Sequence, residues 1–89
     1  MESMSEMNLT KSDHAKELMS DIKINDSEVK AVIEYAESEG KKLYKKGENR
    51  FLGKKEISER TVYVEYSPGD NNEFEIHAAW ALRFSVEED

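Results

Sequence analysis

The sequence predicts an α+β domain in the order α-α-β-β-β, with an N-terminal αα-hairpin packed on one face of a three-stranded antiparallel β-sheet. Three observations carry this expectation. Apolar residues recur at helical spacing twice in the first half of the chain. The intervening INDSEV has the form of a helix start. Residues 61–84, TVYVEYSPGDNNEFEIHAAWALRF, alternate apolar and polar on both sides of a turn-forming segment.

Residues 1–9 are polar, carry three Met and show no period, so a disordered N-terminal tail is expected there, with a single domain over 10–85. From Thr10 the pattern turns helical: Ala15, Leu18, Met19 and Ile22 fall on one face, and Thr10 or Ser12 is placed to cap the start. His14, one turn before Leu18, reads as a partly exposed first-turn residue. The second helix has stronger start signals. Asn25 or Asp26 caps it, Glu28 completes a capping box with Asn25, and Ile24 and Val29 form a hydrophobic staple. Its stripe is Val29, Val32, Ile33 and Ala36 with Tyr35 beside it, and Gly40 ends it ahead of Lys41 and Lys42, whose charge suits a helix C-terminus.

Residues 41–50 are basic and turn-prone, with Leu43 and Tyr44 as apolar anchors. A first strand is expected over 51–57. Its alternation is interrupted by Lys54, Lys55 and Glu56, which suits an edge strand guarded by lysines. A tight connection at 58–60 leads into the central hairpin. There, strict alternation puts Val62, Val64 and Tyr66 on the core face with Phe74, Ile76, Ala78, Trp80, Leu82 and Phe84. Pairing Tyr66 with Phe74 sets Tyr63 opposite His77 and Glu65 opposite Glu75, and a slip of two residues preserves the same faces. SPGDNN supplies the turn. Residues 86–89 are expected to form an acidic C-terminal tail.

Composition narrows the function. Eighty-nine residues make one domain with a modest core, since a chain this short buries only about 60–65% of its unfolded surface. The absence of Cys excludes disulfides, thiolate metal sites and a cysteine nucleophile. No apolar run is long enough to span a bilayer and the N-terminus lacks a signal-peptide pattern, so a soluble, cytoplasmic protein is expected. The formal charge of −7 argues against nucleic acid as a partner, although Lys and Arg do cluster over residues 41–55.

No glycine-rich phosphate loop, nucleophile elbow, helical His pair or calcium loop is present, and no cofactor is implied. The candidate site is the polar face of the hairpin, where alternation gathers Tyr63, Glu65, Glu75, His77 and Arg83 around a shallow middle formed by Ala79 and Ala81. The leading expectation is a non-enzymatic binding or accessory domain. It would act through that face or the sheet edge and engage a protein partner, a second copy in a homodimer, or a small-molecule ligand. Two alternatives share the face. Glu65, Glu75 and His77 have the donor types of a carboxylate–imidazole metal site. Tyr63, His77 and Arg83 have the types needed for acid–base cleavage of RNA with phosphate stabilisation. The order of helices followed by strands resembles that of the small bacterial ribonuclease toxins in topology alone, which implies a sheet-borne set of this kind. Trp80 and Phe84 are read as core rather than as a base-stacking platform.

Overall fold

The computed structural model describes residues 7–45, 47 and 49–83. In chain order the elements are strand β1 (Asn8–Lys11), helices α1 (Asp13–Ile22) and α2 (Asp26–Glu39), and strands β2 (Lys42–Lys45), β3 (Arg50–Ile57), β4 (Arg60–Pro68) and β5 (Glu73–Arg83). The strands form one five-stranded mixed sheet in the order β1-β5-β4-β3-β2. The α+β class holds, but the three-stranded antiparallel sheet is corrected to five strands, one of them parallel. Both additional strands are four residues long, too short to show a period: NLTK is polar, and KLYK sits inside the basic run. β1 starts within the segment expected to be a tail and pairs in parallel with the first residues of β5, Asn8 opposite Glu73 through Lys11 opposite Ile76. β3, expected at an edge, is internal from Arg50 to Gly53, where β2 pairs with it. Residues 1–6 of the expected N-terminal tail, residues 84 and 85 (Phe84 included) and the acidic tail expected at 86–89 lie outside the described residues.

The helices start where the local chemistry dictates. Ser12 caps α1, its hydroxyl accepting from the Ala15 amide at 3.1 Å. Asn25 and Glu28 form the reciprocal capping box of α2, at 2.9 and 3.1 Å, and Gly40 ends that helix in the left-handed conformation with φ 66°. α1 packs on β5, and α2 packs on β3 and β4. Ala15, Met19, Val29, Val32, Ile33 and Ala36 meet Val62, Val64, Tyr66, Ile76 and Ala79 in one buried cluster.

Two polar groups tie the helical layer to the sheet. Arg60, at the start of β4, donates to the Ile22 and Lys23 carbonyls at the end of α1 at 3.0 and 2.9 Å, and to the Glu28 carboxylate at 3.1 Å. One guanidinium thus closes α1 and holds the first turn of α2. On the far side, the buried Tyr66 donates its phenolic proton to Glu37 at 2.6 Å, and Lys42 reaches the same carboxylate oxygen at 2.8 Å. Burial pushes the Glu37 carboxyl up, but the Lys42 and Tyr66 hydrogen bonds and the Lys42 charge outweigh it and leave it below the ordinary carboxylate range. Burial and the adjacent carboxylate push the Tyr66 phenol well up, so it remains a donor.

Gly53 is a point of close approach between α2 and the sheet. A Cβ there would stand 3.0 Å from Ala36 Cβ and 3.3 Å from Val32 Cγ1, both on α2. Gly53→Ala should therefore force α2 off the sheet and cost about 1–3 kcal/mol, read as a lowered denaturant midpoint. The depressed Glu37 carboxyl contributes stability that is complete above its unfolded pKa and lost as pH falls through its lower folded value. Tyr66→Phe should weaken the fold by about 1 kcal/mol at neutral pH. It should also shrink the acid-side loss of stability, measured by urea titrations from neutral pH downward.

Candidate functional site

What β5 presents beyond His77 on the sheet face away from the helices depends on one extra residue. β4 and β5 pair as Tyr66 opposite Ile76 but Glu65 opposite Ala78, so His77 is a bulge. A residue without an opposite number reverses the alternation of all that follows. Before the bulge, Ile76 points to the helices as expected. After it, Ala79 and Ala81 face the helices, opposite Val64 and Val62, while Ala78, Trp80 and Leu82 fall opposite Glu65, Tyr63 and Thr61 on the outer face. Ala79 is fully buried in the core.

The bulge is pinned from the neighbouring element. The Ser12 amide donates to the Ile76 carbonyl at 3.1 Å, and its hydroxyl donates to the His77 carbonyl at 3.3 Å while capping α1. The His77 ring lies beside Ser67, Nε2 to Oγ 2.8 Å. Ser67 has a single hydroxyl proton and donates it to the Asn49 carbonyl. Its oxygen therefore accepts from His77, which assigns the proton of that contact to Nε2.

This geometry divides the residues selected from sequence. Tyr63, Glu65, Glu75 and His77 stand on the outer face. Ala79, Ala81 and Arg83 share the opposite parity, with Arg83 opposite Arg60 at the far end of the hairpin. The shallow middle attributed to the two alanines is occupied instead by Trp80. Glu65 lies opposite Ala78 rather than Glu75, 3.6 Å from the Arg50 guanidinium. Among the described residues no three His, Asp or Glu side chains gather as metal ligands. Tyr63, His77 and Arg83 are likewise not brought together, since six steps along the strand, about 20 Å, separate the last two.

What the outer face does assemble is aromatic and apolar. Trp80 stacks flat on Tyr63, ring centroids 5.4 Å apart and planes 7° from parallel. The adjacent row of opposed residues runs Leu43, Leu52, Glu65, Ala78, and the next beyond the stack runs Glu56, Thr61, Leu82. Leu43 is 69% and Leu82 57% exposed. A depression of about 330 Å³ lies between Leu43, Leu52, Glu65 and Trp80. The residues missed by sequence reasoning, Leu43, Leu52, Trp80 and Leu82, were all visible as apolar. For Trp80 and Leu82 the position of the bulge was the missing information, and a two-alanine run after a histidine gives little sign of it. Leu43 and Leu52 were missed because β2 was not expected as a strand.

No known protein family, curated protein or solved structure matches the chain. No described helix is long and apolar enough to cross a membrane.

Ser12→Ala should remove the α1 cap and the bulge contact together, at a cost of about 1–2 kcal/mol. Loss of the bulge contact is expected to appear as faster amide exchange at residues 76–78, which a simple capping defect confined to α1 would leave unchanged.

Proposed function

We propose that the protein is a small binding module that engages a protein partner through the outer face of its sheet, with a second copy of the chain as the first partner to test. The observation that carries this reading is the position of Trp80. The chain's one Trp lies outside the helix-covered core, stacked on Tyr63 and bordered by Leu43, Leu52 and Leu82. An antiparallel sheet with one covered face ordinarily keeps the other polar. Contiguous apolar surface with a polar rim is characteristic of interaction sites, and Trp and Tyr dominate their energetics because they bury large area with few rotatable bonds. Stacking holds both rings in place, which lowers the entropic cost of docking on them. Glu65, Arg50, Lys54 and Glu56 border the apolar residues and would set register.

Sedimentation of the 10.3 kDa chain should show a heavier species whose fraction rises with concentration, and Trp80→Ser should weaken that association at least about tenfold while leaving the monomer folded. A chain that stays monomeric at every concentration removes the second copy from the reading. Trp80→Ser and Leu43→Ser variants that self-associate as tightly as the parent would remove this face from it.

A further inference from the structure

Residues 41–55 hold seven of the chain's thirteen Lys and Arg residues and a single carboxylate, Glu48, in a protein whose formal charge is −7. Acidic side chains are in excess over the rest of the surface, so a lysine without a carboxylate partner is informative. Lys42 is paired with Glu37 at 2.8 Å and Arg50 with Glu65 at 3.6 Å. Lys41, Lys54 and Lys55 have no carboxylate partner among the described residues, and Lys55 lies over the Tyr35 ring, 5.6 Å from its centroid. All three lysines line one groove of about 550 Å³ with Tyr35, Thr61 and Tyr63, and among the described residues Glu56 is the only carboxylate on its wall.

The groove opens where β2 runs out. β2 pairs with β3 only as far as Lys42 opposite Gly53, whereas β3 continues to Ile57. Residues 54–57 are bonded to β4 on one side and have no strand on the other among the described residues. In an antiparallel strand alternate residues turn both N–H and C=O to the same side, so half of this segment's main-chain groups face the open edge.

We propose that this groove binds an extended acidic peptide, added as a strand along residues 54–57 with its carboxylates set against Lys41, Lys54 and Lys55. The open edge offers donors and acceptors in alternation, which a peptide backbone matches and a phosphate or nucleotide does not. The three ammonium groups select acidic side chains and speed their approach. Tyr35 and Tyr63 supply the wall against which intervening side chains pack. Lysines on a bare edge also deter aggregation, but that role needs only side chains of the strand itself. Lys41 comes from the link between α2 and β2, and its convergence on the same groove is what a recognition site requires. Lys54, Glu56, Thr61 and Tyr63 border both surfaces, but Lys41, Lys55 and Tyr35 line the groove alone and Trp80, Leu43, Leu52 and Leu82 belong to the outer face alone, so variants at those positions test the two separately.

The experiment is a titration of the ¹⁵N-labelled full chain with a soluble hexapeptide alternating Glu with Val or Thr. Its Gln counterpart, adenosine monophosphate and a short oligouridylate form separate arms. The expected result is saturable shifts and slowed amide exchange at residues 54–57, with the Gln peptide and the exposed-site double variant Lys41→Glu/Lys54→Glu each binding about tenfold more weakly. Trp80→Ser should bind the acidic peptide as the parent does. The proposal is overturned by an absence of saturable shifts up to about 5 mM peptide, or by equal binding of the Gln peptide. Tighter binding of the nucleotide or oligonucleotide at the same amides would assign the groove to phosphate instead. Concentration-dependent protection of residues 54–57 in the chain alone would assign the edge to a second copy.

Discussion

The contact between Ser12 and the bulge at His77 determines what each face of the sheet presents. One serine accepts from the first turn of α1, donates its hydroxyl proton to the His77 carbonyl, and through its amide satisfies the Ile76 carbonyl. The parallel pairing of β1 with β5 ends at that point and α1 begins. Past the bulge β5 turns alanines to the helices and its larger side chains to the outside. The swap suits the packing, because α1 lies directly on β5 and small residues at 79 and 81 allow a close approach. An indole in their place would hold the helix away from the sheet.

A second set of constraints fixes α2. Gly53 admits Ala36 to near contact, the Tyr66–Glu37–Lys42 group anchors the far end, and Arg60 holds the near end by way of Glu28. The polar side chains that do this are buried or partly buried and charged or hydrogen-bonded, and among the described residues no buried polar side-chain atom lacks a partner. In a chain with a core this small, such contacts supply specificity of position that apolar burial alone does not.

Much of this was legible in the sequence, for local reasons. Asn25, Glu28 and Gly40 announce their helix because capping is a property of a few consecutive residues, and Asn71 and Asn72 take the positive φ that the turn composition implies. Val62, Val64 and Tyr66 face the core as their alternation indicates. The failures are non-local. NLTK becomes a strand only because residues 73–76 of β5 lie beside it, and KLYK because residues 50–53 of β3 do. The hairpin pairing follows the two-residue slip at Tyr66 opposite Ile76, and the bulge then inverts the rest. Three of the seven site residues chosen by parity, Ala79, Ala81 and Arg83, therefore fall on the helix side, and Trp80 stands on the outer face in their place.

The pairing of β1 with β5 has a consequence for how the chain is made. Asn8, ahead of both helices, meets Glu73 of β5, which is synthesised after every other described element of the sheet. During vectorial synthesis α1 and α2 emerge long before Ile76 and Ala79, the residues of β5 that complete their core. The nascent chain must carry an open apolar helix face until then, and closure waits on contacts of long sequence separation, which form slowly. Apolar surface exposed in that interval is open to aggregation until β5 is made.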